Sequence, residues 1–403
     1  MGFVLSFCTH VFAPPTRSMK AQLVLGIMSG TSIDSVDFAL CAIGEDNATP
    51  PSWLGISIRL RKRWQVKFPR ALQQRLHQAA QGTATSYATA QLHHDLGRFY
   101  ANAAKKVLGN ARPDIVGLHG QTIFHNPSAK NPATFQLGEP AYLVETLRVP
   151  VVSNFRVADL AAGGQGAPLA TLFHVAVFGQ RGGHVCVNNL GGISNVTSMD
   201  WRRGAQPVVT AFDTGPANVL LDLAMRRLTG GKKSFDPDGA WAARGQAAEA
   251  LLKRWLAHPY FKKQPPKSTG RELFGEPFFA RILPGIAKTR LSPFDALATL
   301  TKFTARSVAL NYRLHLRSPP QTVILTGGGA ANPTLVQVIR RHLQSLAARV
   351  QVKTSEDFDW PLQSIEPAAF ALLAYLRIHQ RPGHLPSTTG ARRTVLLGQV
   401  GEP

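Results

Sequence analysis

The stretch that decides the fold is Gly26-Ile27-Met28-Ser29-Gly30-Thr31-Ser32-Ile33-Asp34-Ser35-Val36-Asp37. It lies between two apolar runs, residues 23–25 and 38–40, so it predicts a strand, a tight turn and a second strand. Glycine lets the backbone approach a ligand closely. Backbone N–H groups and hydroxyls can surround a phosphate, and the acids can hold Mg²⁺. The alternative is an ordinary hairpin turn rich in serine and glycine.

Two later glycine-rich segments favour the ligand-binding interpretation. Residues 185–196 repeat the strand, glycine turn and strand, and residues 323–329 predict a further strand and glycine turn. A strand over 208–212 ends at Asp213, and a helix begins near Asn332 and runs to about residue 346. Repeated strand hairpins followed by helices predict two related α/β halves around a cleft.

The remaining pattern predicts ordinary α/β elements. We expect strands over residues 56–66 and 149–152 and helices over 70–80 and 87–108. A short buried strand over 115–118 precedes a polar cluster, residues 119–122. Sites tend to form at the carboxyl ends of strands in α/β sheets, which makes this cluster a candidate.

Composition indicates a soluble globular enzyme. The 403 residues suffice for two domains with cores, and 44% hydrophobic with 17% charged residues excludes a disordered chain. No run is long and apolar enough for a membrane helix. Cys8, Cys41 and Cys186 lie far apart and form neither a disulfide framework nor a zinc pattern. We therefore expect a reducing, cytoplasmic location.

The first residues and the net charge invite other interpretations. We interpret residues 1–18 as an N-terminal extension, because they lack the positive region of a signal peptide, and their formal match to a myristoylation pattern is short. The net charge of +22 is compatible with nucleic-acid binding. However, the basic residues are scattered, and their densest runs, 59–63 and 262–267, carry no aromatic stacking motif. Solvated basic faces are the favoured explanation.

Three glycine turns in this order resemble the actin-like sugar kinase and heat-shock ATPase fold. A more specific resemblance, over about residues 19–400, is to the anhydro-N-acetylmuramic acid kinase family. The motifs that carry it are GIMSGTSIDSVD (26–37), HGQT (119–122), FR (155–156), GGQGAPL (163–169), NLGGISN (189–195), FDTGPAN (212–218), PKSTGRE (266–272) and TGGGAANP (326–333).

The resemblance implies an α/β fold of two actin-like (ribonuclease H-like) domains flanking a nucleotide and sugar cleft. Residues 19–150 are expected to form domain I, joined by a C-terminal segment from about 370 to 403, and residues 151–369 to form domain II. The implied enzyme uses ATP and Mg²⁺ in peptidoglycan recycling. Water opens the 1,6-anhydro bridge at C1 and O6 takes the γ-phosphate, which gives N-acetylmuramic acid 6-phosphate.

Asp213 is the candidate catalytic base. It stands at a predicted strand end beside a Gly-Pro turn, and the catalytic aspartate of the resembled family falls on this position. The alternative is an aspartate that caps the following helix.

The resemblance also implies the binding residues. Those for ATP are Gly30, Thr31, Ser32, Ile33, Asp34, Ser35, Val36, Asp37, Gly191, Gly192, Gly327, Gly328 and Asn332. Those for the sugar are His119, Gln121, Arg156 and Glu366. The guanidinium of Arg156 suits the lactyl carboxylate, whereas its alternative role is a surface ion pair. Glu366 could instead serve the helix dipole, and His119 could be structural. The metal ligands remain unassigned.

Three positions depart from the family pattern: Ser35 and Ala217 stand where glycine is usual, and Asn154 where aspartate is usual. Ser35 fits its loop if its φ stays negative.

Two other functions stay open, another actin-like sugar kinase and a basic polyanion-binding protein with vestigial kinase motifs. The expected partner is a small amino sugar, without membrane or nucleic acid, and a homodimer also stays open.

Overall fold

The structure is a computed structural model that describes residues 21–30, 32–46, 52–127, 130–204 and 206–403. The proposed extension, residues 1–18, and Thr31 lie outside the described residues. The strands are β1 (Gln22–Ser29), β2 (Ser35–Glu45), β3 (Ile56–Lys67), β4 (Ile115–Asn126), β5 (Ala133–Leu137), β6 (Val151–Ser153), β7 (His184–Leu190), β8 (Ile193–Asp200), β9 (Val208–Pro216), β10 (Thr322–Thr326), β11 (Gln351–Thr354) and β12 (Gln399–Gly401).

Helices connect and cover these strands, together with several short 3-10 turns. The helices are α1 (Arg70–Ala80), α2 (Ser86–Leu108), α3 (Ala141–Leu147), α4 (Val157–Ala161), α5 (Thr171–Phe178), α6 (Asn218–Leu228), α7 (Glu249–Leu256), α8 (Arg271–Phe274), α9 (Glu276–Lys288), α10 (Pro293–His315), α11 (Pro333–Leu346), α12 (Ile365–Ile378) and α13 (Pro386–Thr389).

Two mixed sheets repeat one topology. The first has the order β3-β2-β1-β4-β6, with β12 beyond β6 and β5 paired to β4, and the second has the order β9-β8-β7-β10-β11. In each, three antiparallel strands form a meander, a fourth strand pairs in parallel with the meander's first strand, and a fifth pairs in parallel with the fourth. The expected pair of related α/β halves is confirmed, and this order is the ribonuclease H-like arrangement that the resemblance implied.

Two glycines allow α12 to lie directly on the first sheet. A Cβ at Gly26 would overlap the Pro367 carbonyl, and one at Gly117 would overlap the Phe370 carbonyl. The central strand β1 is apolar and almost wholly buried, because helices cover both of its faces. One apolar cluster joins α12 and α5 to both sheets and includes Val24 of β1 and Val187 of β7. This close approach brings the start of α12 to the gap between the halves.

The strand bounds differ from expectation at two functional motifs. The strand expected over 115–118 continues to Asn126, so His119 and Gln121 lie within β4, and Gly120 bends it with a φ of +78°. Likewise β9 continues to Pro216, so Asp213 lies within the strand instead of at its end. The hydrogen bonds of each neighbouring strand extend the pairing through the polar residues.

The domain boundaries stay a prediction. The sheet pairing alone shows that β6, just beyond the expected boundary after residue 150, pairs with β4 of the first sheet. The C-terminal strand β12 also joins that sheet through β6, and α12 begins at Ile365, slightly before the expected joining segment.

Candidate active site

A cavity of about 170 Å³ lies where the two sheets and α12 meet. Its lining includes Met28 of β1, Asn189 of β7, Asn195 of β8 and Phe370 of α12. Three of the residues predicted from the sequence, Asp213, Arg156 and Glu366, also line it. The structure therefore brings together one candidate base, one cation and one further acid from three separate parts of the chain.

Asp213 is held by hydrogen bonds from one covering segment, residues 260–269. Its Oδ2 accepts a hydrogen bond from the Thr269 backbone N–H at 2.7 Å, and its own N–H donates to the Lys267 carbonyl at 3.1 Å. Tyr260 Oη donates to the Asp213 carbonyl at 2.8 Å. These contacts fix the carboxylate on the cavity wall.

Burial raises the pKa of Asp213 to about 7. The Thr269 N–H opposes this shift by stabilising the ionised form, the nearby Glu272 adds to it, and the Lys267 cation opposes it. A carboxylate with a pKa near neutrality suits a general base, because it is both partly ionised and basic enough to take a proton. The alternative role as a helix cap finds no support, since α6 begins at Asn218 and has no side-chain cap.

A buried polar network supports the strand behind Asp213. Thr214 Oγ1 donates to Ser194 Oγ at 2.6 Å, and Asn188 Nδ2 donates to the same oxygen at 2.8 Å. The pairing of β8 with β9 shifts register between Ser194 and Asn195, next to the site. Such bulges redirect side chains near active sites, and the hydrogen bond to Ser194 gives Thr214 of the FDTG motif a structural role.

Arg156 reaches the cavity from a buried position behind it. Its Nε donates to His119 Nε2 at 3.1 Å, and one terminal nitrogen donates to the Gly166 carbonyl at 2.7 Å. Burial lowers the pKa of Arg156 to about 10, and the negative charges of Glu366 and Asp159 oppose the shift. The guanidinium remains charged at neutral pH, so a buried cation faces the cavity.

His119 is nearly fully buried and has contacts at both ring nitrogens. Nδ1 lies 2.8 Å from the Gly120 carbonyl while Nε2 accepts from Arg156, which identifies the neutral tautomer protonated at Nδ1. Burial and the neighbouring guanidinium hold the pKa of His119 well below its usual value. In this structure His119 orients Arg156, and its contact with the sugar stays a prediction.

Asp159 organises the GGQG loop that Arg156 contacts. Its Oδ2 accepts from the Gly166 N–H at 2.7 Å, and its Oδ1 accepts from Thr389 Oγ1 at 2.7 Å and from His384 Nδ1. The Gly166 peptide is thus held at its N–H by Asp159 and at its carbonyl by Arg156. Residues from the C-terminal segment therefore help to build the cavity wall.

Glu366 lies in the first turn of α12 and accepts a hydrogen bond from Asn189 Nδ2 at 3.3 Å. Burial raises the pKa of Glu366, the negative charge of Asp37 raises it further, and Arg156 opposes the shift. Burial also raises the pKa of Asp37 to about 6. The two acids are close enough for their charges to interact, and the opposing cation is Arg156 at Glu366 but Arg63 at Asp37.

The first glycine turn joins β1 to β2. Ile33 is buried with a φ of +59°, and its N–H donates to the Gly30 carbonyl at 3.1 Å. Gln73 Nε2 donates to the Ile33 carbonyl at 2.9 Å, which ties the turn to α1. Ser35 does not have a positive φ, so serine fits there, as expected. A Cβ built at Gly30 meets no described atom within 4 Å.

The other predicted residues of this turn differ in exposure. Ser32 and Asp34 are exposed, and Val36 is buried beneath them. Gln121, fully buried, donates from Nε2 to the Gly30 carbonyl at 3.2 Å. Gln121 therefore supports the turn, and its predicted sugar contact remains untested.

The second glycine turn, Gly191 and Gly192, rests on the start of α6. The Gly191 carbonyl accepts from the Asn218 N–H and the Gly192 carbonyl from the Ala217 N–H, both at 3.0 Å. A Cβ at Gly191 would make ordinary contacts, the nearest at 3.5 Å, so space is open in front of this turn. Ala217 is accommodated at a φ of −116°.

The third glycine turn follows β10. Gly327 has a φ of +76°, and a Cβ there would overlap Asn189 Oδ1, whereas Gly328 faces open space. Asn332 caps α11, because its Oδ1 accepts from the Leu335 N–H at 3.0 Å. This structural role does not test its predicted place in the adenosine site.

Sequence reasoning missed four residues that shape the site: Lys267, Thr269, Asn189 and Asp159. The first three lie inside motifs that carried the resemblance, PKSTGRE and NLGGISN, so the motifs were the available signal. Asp159 lies just before the GGQG motif, and only its burial and contacts distinguish it.

Side chains that bind metal ions do not form large clusters in the described part of the chain. In the parts of the chain that the structure describes, no three His, Cys, Asp or Glu side chains cluster closely enough to hold a metal ion. Within the same parts, no helix combines the length and apolar character needed to cross a lipid bilayer.

Comparison with known proteins places this architecture in a family. The sequence profile described as anhydro-N-acetylmuramic acid kinase matches residues 22–402. The chain belongs to the anhydro-N-acetylmuramic acid kinase family. An anhydro-N-acetylmuramic acid kinase from Acaryochloris marina is 39% identical over 384 residues, covering 94% of this chain and 99% of the relative. One from Synechocystis sp. is 39% identical over 386 residues, covering 93% and 97%.

Membership of this family makes the chain a phosphotransferase, and it does not favour a vestigial polyanion-binding protein. Among solved structures, the activator of the 2-hydroxyisocaproyl-CoA dehydratase from Clostridium difficile with bound ADPNP covers 89% of this chain and 96% of its own. It does so at 11% identity with a TM-score of 0.41. The fold assignment rests on the sheet order that the two halves repeat.

Proposed function

We propose that this chain is an ATP-dependent kinase that opens the 1,6-anhydro ring of anhydro-N-acetylmuramic acid by hydrolysis and phosphorylates O6. The product is N-acetylmuramic acid 6-phosphate, formed during the recycling of peptidoglycan in the cytoplasm. The observation that carries the proposal is Asp213, a fixed carboxylate on the cavity wall whose pKa burial raises to about 7. Family membership supports the choice of sugar.

In this mechanism Asp213 takes a proton from a water molecule. The water oxygen bonds to C1 as the C1–O6 bond breaks, and O6 keeps the bonding electron pair. O6 then bonds to the γ-phosphorus of ATP, whose bond to the bridging oxygen breaks and releases ADP. The proton on Asp213 passes to solvent before the next turnover. General-base assistance of this kind contributes roughly 10²–10⁴-fold to a rate.

Arg156 and Glu366 would orient the sugar. A guanidinium with free N–H groups matches a carboxylate in two parallel hydrogen bonds, which suits the lactyl group of the substrate. Glu366 can accept hydrogen bonds from sugar hydroxyls, because its carboxylate has capacity beyond the single bond from Asn189. His119 would keep the guanidinium in register with the sugar.

The nucleotide would lie against the three glycine turns, where open space in front of Gly30, Gly191 and Gly328 leaves room for phosphates. The first turn also offers carboxylates and hydroxyls, the oxygen donors that suit Mg²⁺. Mg²⁺ usually takes only one or two carboxylates and completes its shell with phosphates and water. Asp34 and Asp37 are the candidate ligands, and the ion would neutralise phosphate charge.

The decisive experiment is to incubate the purified protein with 1,6-anhydro-N-acetylmuramic acid, ATP and Mg²⁺ in H₂¹⁸O. Early quenching and mass spectrometry should show one ¹⁸O in the sugar product and none in the transferred phosphate. Unlabelled product held in the same water corrects for exchange at the anomeric carbon. Turnover of N-acetylglucosamine or glucose in place of the anhydro sugar would instead identify another actin-like sugar kinase. Light scattering on the same sample tests whether the protein is a homodimer.

A further inference from the structure

Lys267 is a buried lysine in direct backbone contact with the candidate base. Its side chain lies within the protein with 5% of its surface exposed, and its carbonyl accepts from the Asp213 N–H at 3.1 Å. Both residues line the same cavity. The mechanism above does not use this side chain.

The contacts of the Lys267 ammonium are all with neutral groups. Nζ lies 3.0 Å from His315 Nε2, 3.3 Å from the Phe261 carbonyl and 3.5 Å from the Tyr260 carbonyl. Among the described residues no carboxylate forms an ion pair with it. Burial of a cation without a paired anion costs free energy, so a purely structural role would be served better by an uncharged side chain.

The ammonium lies close to two aromatic residues that adjoin Asp213. Nζ lies 4.9 Å from the ring centre of Tyr260 and 5.7 Å from that of Phe212. Tyr260 donates to the Asp213 carbonyl, and Phe212 precedes Asp213 in β9. The ammonium therefore lies beside the strand that carries the base.

Other charges near the pair are few and can be named. Asp213 is affected by Glu272 as well as by Lys267, and Lys267 is affected by Asp213 and by the cation of Lys263. His315 contacts the ammonium from α10, and burial lowers the pKa of its ring. Burial lowers the pKa of Lys267 itself to about 8, so the lysine is mainly charged at neutral pH.

We propose that Lys267 is a positioning residue that favours the ionised form of the Asp213 carboxylate near neutral pH. A positive charge close to a carboxylate favours its ionised form. Without that charge, burial and Glu272 act on Asp213 with less opposition, and the base would be protonated over more of the neutral range. The inference deepens the proposed function, on which its kinetic consequence rests.

The test compares Lys267→Met, Lys267→Arg and the matched control Lys263→Met, which removes a nearby exposed cation. The readout is the pH titration of the Asp213 carboxyl carbon by NMR in protein labelled with ¹³C-aspartate, with Asp213→Asn identifying the signal. We expect Lys267→Met to raise the Asp213 midpoint by about one pH unit, which lowers the ionised fraction about tenfold on the acid side. Lys267→Arg and Lys263→Met should leave it near the wild-type value.

Activity gives the second measurement. The acid limb of kcat/KM should move to higher pH in Lys267→Met, and the loss should shrink toward pH 8.5 as Asp213 ionises. An unchanged NMR midpoint in Lys267→Met overturns the proposal and leaves Lys267 a packing residue. If the methionine variant does not fold, Lys267→Gln decides in the same way, because its amide can still donate to Phe261. The titration needs no substrate, so a wild-type protein inactive on the anhydro sugar would refute the proposed function without deciding this inference.

Discussion

The two halves of the molecule share a topology but exchange an acid and an amide between equivalent strands. In the first sheet Asp37 on β2 lies opposite Gln65 on β3 and accepts a hydrogen bond from its amide at 2.9 Å. In the second sheet Asn195 on β8 lies opposite Asp213 on β9. Strands β2 and β3 of the first sheet correspond to β8 and β9 of the second. The acid therefore lies on the second strand of the first meander but on the third strand of the second meander, with an amide opposite it in both.

The two acid–amide pairs differ in whether the third strand of the meander is covered by another segment. Strand β3 is open to solvent, with Gln65 exposed and basic side chains along one face. Charged side chains on such an edge also hinder unwanted strand pairing. Strand β9 is covered by the segment that carries Tyr260, Lys267 and Thr269. Burial raises the pKa of both acids, to about 6 for Asp37 and about 7 for Asp213, but only in the second half does the acid stand on the third strand of the meander, beneath a covering segment.

The largest expected effect is at the buried acid. Asp213→Asn keeps the shape of the side chain but removes the base, so turnover should fall by roughly 10²–10⁴-fold. Nucleotide binding should persist, because the glycine turns would hold the phosphates. Initial rates and calorimetric ATP titration on one preparation measure both. A variant with near-normal turnover would return Asp213 to a structural role.

The glycine turns should separate binding from folding. Gly30→Val adds atoms where the structure is open, so the protein should fold normally but lose the stabilisation by ATP. That stabilisation is about 2.7 kcal/mol at a hundredfold excess over Kd. Gly327 has a positive φ, and the added Cβ of Gly327→Ala would overlap Asn189 Oδ1. In the absence of nucleotide, this variant should therefore lower the free energy of unfolding by more than about 1 kcal/mol. Denaturant unfolding with and without Mg-ATP distinguishes them, and equal behaviour of both variants would contradict the assignment.

The raised pKa of Asp213 also predicts a pH-dependent stability. The folded protein holds a proton on this group that the unfolded chain releases near its usual pKa of 3.8. The extra stability that this bound proton gives to the folded protein is therefore lost as the pH rises from about 4 through about 7. Asp213→Asn removes this loss, so its Tm relative to wild type should increase between pH 5 and pH 8. A Tm difference that stays constant over this range would mean that the folded carboxylate titrates normally.

The smallest effect is expected at the equivalent position of the first half. Gln65→Asn keeps an amide opposite Asp37 on the exposed strand β3, so it adds no charge beside this candidate Mg²⁺ ligand. Turnover should change by less than about twofold, and stability by less than about 0.5 kcal/mol. Steady-state assays and thermal unfolding check both values. A large loss of activity would show that the open edge also serves the reaction.

Much of the fold could be predicted from local patterns. The hairpins at Gly30 and Gly191 were predictable because glycine turns between apolar runs have few other conformations. The helix start at Asn332 was predictable because asparagine before proline is a common capping pattern. The expected strand ends at 118 and 212 were wrong, because polar residues end an apolar pattern whereas neighbouring strands extend the hydrogen bonding.

The site divides in the same way. The sequence by itself determined the family, the candidate base Asp213 and the glycine turns, since each depends on residue types at short spacing. Only the tertiary structure decided that Asp159 and His384, far apart in sequence, hold the loop beside Arg156. It also decided that Lys267 is buried in backbone contact with Asp213. Burial and long-range contacts set the pKa of each group, and no local pattern records which distant segment will cover it.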